Sequence, residues 1–125
     1  MSRTTIFTPD APTPPPTYSQ AVTAAGLVFV SGTSPHDPVT GELAETIQAQ
    51  VGQCLRNISA ILEAAGTSLD KAVSFTVILT EEGDFAGMND EWLRWFPSNP
   101  SARQGAKLPV RIPGLKVSIA AIAEA

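Results

Sequence analysis

Ala72-Val73-Ser74-Phe75-Thr76-Val77-Ile78-Leu79-Thr80 alternates large apolar residues with small or mixed ones. Successive side chains of a strand point to opposite sides. The stretch therefore predicts a strand with Val73, Phe75, Val77 and Leu79 on one face and Ala72, Ser74, Thr76, Ile78 and Thr80 on the other. The run from Leu115 to Ala123 repeats the pattern: Leu115, Val117, Ile119, Ala121 and Ala123 share one face, and Lys116, Ser118, Ala120 and Ile122 the other. One face of each strand is built for a core. The other is too apolar to be simply solvated and too small-chained to be a core by itself.

Upstream, Ile47, Val51, Cys54, Leu55, Ile58, Ile61, Leu62 and Ala65 recur at steps of three and four, while Gln48, Gln50, Gln53, Arg56, Asn57 and Glu63 fall largely on other faces. This stripe predicts an amphipathic helix over 46–65, closed by Gly66 as a left-handed cap. A second helix is expected over 84–96, with Phe85, Met88, Trp92 and Trp95/Phe96 as its apolar stripe, Asp84 as N-cap, and Pro97 and Pro100 as the stop. Leu27 to Val30 reads as a short buried strand ended by Ser31-Gly32, and Ser19 to Thr23 as a weaker strand before the Ala24-Ala25-Gly26 turn. Residues 33–45 read as loop, and 104–111 include a short strand. The order β-β-α-β-α-β-β gives an α/β (α+β) fold: a mixed sheet with two helices on one face. Two helices cover only one face of such a sheet, and a subunit partner would explain the mixed residues on the other.

The chain has 125 residues, which fits a single domain over 1–125 with a Pro-rich N-terminal arm at 1–17. Residues 8–17 hold five prolines and cannot be helix or central strand. Composition favours a disordered tail, but an ordered extended arm is expected if Tyr18 lines a cleft. Charged residues make up only 16%, and the net charge is −4 with eight scattered basic residues, which disfavours a nucleic-acid partner. Cys54 is the sole cysteine, so neither an intrachain disulfide nor a cysteine-based zinc site can form, and its place on the buried helix stripe makes it a small apolar filler. The start, Met-Ser-Arg-Thr-Thr-Ile-Phe, has no signal-peptide core, and no apolar run approaches the roughly 20 residues that span a bilayer. The chain is expected to be cytoplasmic, with no membrane partner.

Seven segments, in order and at compatible spacing, resemble one family. They are Tyr18-Ser19-Gln20-Ala21-Val22, Gly26 to Gly32 (GLVFVSG), Asp37 to Glu42 (DPVTGE), Asn57 to Gly66 (NISAILEAAG), Asp84 to Asn89 (DFAGMN), Ala102-Arg103, and Ile119 to Ala123 (IAAIA). On these the chain resembles the Rid (YjgF) family over nearly its whole length. The resemblance implies a chorismate-mutase-like fold. It also implies a homotrimer whose sheets form a central barrel, with clefts between subunits. The activity it implies is hydrolysis of reactive 2-imino and enamino acids, such as 2-aminoacrylate and 2-iminopropanoate, to 2-keto acids and ammonia, with no metal or organic cofactor. The substrate would thus be a small carboxylate.

The same resemblance puts Arg103 at the carboxylate clamp, where a planar guanidinium matches a carboxylate with two parallel hydrogen bonds. It makes Tyr18 a pocket wall with a hydroxyl, Ser31 a hydroxyl facing a cleft, and Asn89 a further site residue. Three positions depart from the family pattern. Ala120 stands where the hydrolases often carry a Glu that orients or activates water. Glu124, roughly 13 Å further along a strand, is no substitute within one subunit. Gly105 stands where a Cys is common, and Thr33 where a Gln follows the Ser-Gly pair. The connection from Phe96 to Arg103 is also about three residues short. These departures keep open a trimer that binds small carboxylates without chemistry. A ribonuclease-like reading fits poorly with so acidic a chain. His36, Asp37 and Glu42 read as loop residues, and no nucleotide-binding glycine loop or metal-ligand spacing occurs.

Overall fold

The computed structural model describes residues 3–109 and 112–125. Six strands form one sheet: β1 (Thr4–Ile6), β2 (Ala21–Ala24), β3 (Leu27–Thr33), β4 (Ala72–Leu79), β5 (Ala102–Lys107) and β6 (Val117–Glu124). Their spatial order is β1-β2-β3-β6-β4-β5, antiparallel throughout except for the β4–β5 pair. Helix α1 (Ile47–Ala64) connects β3 to β4, and α2 (Phe85–Trp95) connects β4 to β5. Both β3 and β4 are antiparallel to β6, so they run parallel to each other with β6 between them. The two crossovers advance across the sheet in the same direction. A common handedness then places both helices on the same face.

The core lies between that face and the helices. Val28, Val30, Phe75, Val77, Val117, Ile119, Ala121 and Ala123 of the sheet are buried against Val51, Cys54, Leu55, Ile58, Ile61 and Leu62 of α1. Met88 and Trp92 of α2 complete it, with Trp92 edge-on to Phe75 at 5.0 Å and 87°. The expected α1 stripe matches this surface, and its end is a full Schellman cap. Gly66 takes φ +88°, its N–H donates to Glu63, and the Thr67 N–H donates to Leu62. Gly87 is fixed by close approach, since a Cβ there would stand 2.6 Å from Ile47 Cγ2 across the α1–α2 contact.

Several expectations change. Thr4–Ile6 is an unanticipated first strand, paired with β2. Val73 does not share the core face: the β4–β6 register shifts between Ala72 and Ser74, and Val73 turns outward, 43% exposed. Such a bulge resets the alternation by one residue. Asp84 does not cap α2 with its side chain, and instead lies 3.9 Å from Lys116 Nζ. Phe85 leaves the apolar stripe and is 54% exposed. The short strand expected over 104–111 runs from Ala102 to Lys107, and residues 110–111 of that expectation lie outside the described residues.

The Pro-rich segment is an ordered arm rather than a tail. Buried Gln20 holds it through backbone groups: its Oε1 accepts from Thr8 N at 2.7 Å, and its Nε2 donates to the carbonyls of Thr8 and Pro12, both at 3.0 Å. Thr8 and Ala11 are buried as a result. An equivalent hub fixes the loop before β6, where buried Gln50 donates to Ala44 and Gly114 and accepts from Lys116 N.

Candidate functional site

β5 is an edge strand, exposed along its whole length. Arg103, Gly105 and Lys107 alternate along it and so share a face, paired with Phe75, Val77 and Leu79 of β4. Above them runs α2. The result is a cleft of about 550 Å³ bounded by β5, Val77, Leu79, Glu82, Phe85 and Met88. The Arg103 guanidinium lies 5.1 Å from the centroid of the Trp92 ring, and its Nη1 is 3.4 Å from Met88 Sδ. Stacking at an exposed site contributes about 0.5–1 kcal/mol, enough to orient the group without neutralising it. Arg103 has no acidic partner among the described residues, whereas Lys107 pairs with Glu82 at 3.2 Å. The fork is held and its charge remains available.

Tyr18 and Ser31 sit elsewhere. Tyr18 is half exposed and borders two depressions, one with Ser31, Gly32 and Pro12, the other with Ser31, Arg3 and Val22. The Ser31 hydroxyl donates to the Ser19 carbonyl at 2.6 Å, and Ser31 N donates to Gln20 O at 3.0 Å. Ser31 therefore fastens the Tyr18 segment to β3, while its oxygen can still accept a hydrogen bond. Ala120 lies across from the Ser31–Gly32 irregularity, between Ile119, paired with Thr33, and Ala121, paired with Val30. It is half-buried on the sheet face away from the helices.

Of the four expected site residues, one chain brings Tyr18 and Ser31 together and holds Arg103 apart from them. From β3 to β5 there are three strand spacings, about 14 Å in all. Asn89 follows Met88 on α2 and is half-buried, outside the lining of the Arg103 cleft. The sequence reading did not anticipate Phe85, Met88, Trp92 and Lys107 as site residues. The first three were absorbed into the apolar stripe, and only the edge position of β5 turns part of that stripe into a cleft wall.

The remaining titratable candidates serve structure. His36 Nδ1 is 2.8 Å from Ser34 Oγ, and buried Asn57 holds the same loop by donating to the Ser34 and His36 carbonyls. The Thr40 and Val39 N–H groups donate to Asp37 and hold its carboxyl below the usual aspartate range. Burial pushes the Cys54 thiol far above its ordinary value, so it stays protonated and donates to Thr33 O at 3.3 Å. No group of three or more His, Cys, Asp or Glu side chains gathers for a metal among the described residues. No helix among them is long and apolar enough to cross a membrane.

Comparison with known proteins matches residues 8–125 to a family model described as endoribonuclease L-PSP. The RutC family protein y4sK of Sinorhizobium fredii is 44% identical over 119 residues, covering 94% of each chain. The 2-iminobutanoate/2-iminopropanoate deaminase of Salmonella typhimurium is 37% identical over 129 residues, covering 98% of each. The crystal structure of RidA from an Antarctic Psychrobacter superposes with a TM-score of 0.90 at 39% identity, covering 98% of this chain and 99% of that one.

Proposed function

The chain belongs to the endoribonuclease L-PSP family, the Rid (YjgF) family, and on that premise we propose that it hydrolyses reactive 2-imino acids to 2-keto acids and ammonia. The observation that carries this reading is Arg103: a guanidinium oriented by Trp92 and Met88, without a carboxylate partner among the described residues, at the mouth of a largely apolar cleft. Such a fork awaits a small carboxylate. The Salmonella relative named as an imine deaminase supports the choice of substrate.

The reaction needs few groups. With the substrate carboxylate on Arg103, water adds to the iminium carbon and the C=N electron pair moves to nitrogen. A proton passes from the added water to that nitrogen. The remaining hydroxyl proton passes to solvent as the carbonyl forms, the C–N bond breaks, and ammonia leaves. Holding water and imine together contributes most when the reaction is already facile in solution. Tyr18 and Ser31 supply hydroxyls that can position this water. Ala120 supplies no base, so proton transfer runs through solvent.

A small imino acid cannot span about 14 Å. For Tyr18 and Ser31 to act with Arg103, the β5 edge of one subunit must lie beside the Tyr18 depression of another. We therefore place the sites between subunits of a homotrimer. An RNA-cleaving activity draws no support from a chain of net charge −4 with scattered cations.

The test combines ammonia release from imines generated in situ by an amino-acid oxidase with calorimetric binding of 2-keto acids. Arg103→Ala should weaken keto-acid binding about ten- to a hundredfold, matching a charge-assisted pair of roughly 1.5–3 kcal/mol. Arg103→Lys should recover part of it, since an ammonium lacks the fork. Unchanged binding in Arg103→Ala would remove the anchor and with it this function.

A further inference from the structure

We infer that the Arg103 cleft selects acids with a bulky apolar side chain, branched aliphatic or aromatic, over the three-carbon acid, and that Gly105 makes the room. The inference rests on the reading of Arg103 as the carboxylate anchor. Gly105 lies two residues along β5 from Arg103, roughly 6–7 Å, and on the same face. A ligand held by its carboxylate at Arg103 therefore extends its chain over Gly105. There it meets Val77 and Leu79 of the sheet and Phe85 and Met88 of α2.

Backbone conformation does not demand a glycine at this place, because Gly105 is not among the residues with positive φ. A Cβ would stand 3.1 Å from Val77 O, and any larger side chain would lie between Arg103 and Lys107 in the cleft. Phe85 opens the apolar stripe of its helix yet is 54% exposed and borders the same space. A bulky apolar ligand would cover it. At the far end Lys107 is already matched by Glu82 at 3.2 Å, so a second carboxylate would find no unpaired cation there.

The experiment compares imines derived from alanine, leucine, phenylalanine and glutamate on the full chain, and measures calorimetric binding of the matching 2-keto acids. The leucine- or phenylalanine-derived imine should exceed the alanine-derived one in kcat/KM by at least about tenfold, the scale on which apolar pockets discriminate. Gly105→Val should lower that ratio by about the same factor. Phe85→Ala, at an exposed position and free of the steric demand beside Val77, should lower it too, and keeps the test valid if Gly105→Val does not fold. Equal or better turnover of the alanine- or glutamate-derived imine would overturn the inference while leaving imine hydrolysis standing, and so would a ratio unmoved by the folded variants. Absence of turnover on every imine, with apolar keto acids still bound more tightly than pyruvate, would sink hydrolysis and keep the selectivity. Absence of both would overturn it.

Discussion

Arg103 rests against an aromatic ring and a thioether, and neither partner neutralises its charge. Its candidacy came from the sequence through the Ala102-Arg103 segment, because a short motif marks a position whatever surrounds it. The surroundings were not legible. Phe85 and Met88 fit a helical stripe, and periodicity cannot tell which end of a stripe overhangs an edge strand. Ala120 was legible as a missing carboxylate, and the structure adds its location opposite Ser31–Gly32 on the open sheet face. This sharpens its test. Ala120→Glu should raise imine hydrolysis about a hundredfold, the lower range of general acid–base catalysis, while keto-acid binding at Arg103 stays as it was. Ala120 is half-buried in the single chain, so the new carboxylate needs a hydrogen-bond partner in the site to stay ionised. A folded variant with unchanged turnover would mean that water activation does not limit the rate.

Helices and central strands followed their apolar periods, Val73 and Phe85 at element ends apart, because burial dictates them. Two further departures are segments fixed by a few particular contacts. Thr4–Ile6 is too short to show an alternation, and it is a strand only because β2 offers a partner. The Pro-rich arm has the composition of a tail, yet one buried amide orders it. Gln20 gives the arm three hydrogen bonds of 3.0 Å or less, with groups that proline-rich backbone leaves unpaired. Gln20→Ala should therefore destabilise the protein by roughly 1–3 kcal/mol, the cost of leaving buried backbone groups unsatisfied. Urea unfolding measures the loss. Limited proteolysis should show cleavage between residues 9 and 17 in the variant and not in the parent. Equal resistance in both would mean that the prolines order the arm without Gln20. Because the arm leads directly into Tyr18, its release should also weaken substrate binding.

Across the whole molecule, the sheet presents two unequal faces. Helices cover one. On the other, Ser74, Thr76, Ile78, Ser118, Ala120 and Ile122 are half-buried, beside Phe29 at 41% exposed. The alternation of β4 and β6 announced this surface, but no single-chain pattern says how a second copy would meet it. The separation of Arg103 from Tyr18 and Ser31 by three strand spacings turns that question into a test of catalysis. If each site takes Arg103 from one subunit and Tyr18 from the next, Arg103→Ala and Tyr18→Ala should each lose most of their activity at low substrate when alone. Unfolded together and refolded as a mixture, they should regain activity. In a ring of three equivalent interfaces assembled at random from equal amounts, about a quarter of the sites would pair an intact Tyr18 with an intact Arg103. Light scattering should give three subunit masses for each variant and for the mixture, so recovery cannot be credited to a change of assembly. A mixture of trimers that stays inactive would place both residues' work within one chain, and the distance across the sheet would then rule out their sharing a small substrate.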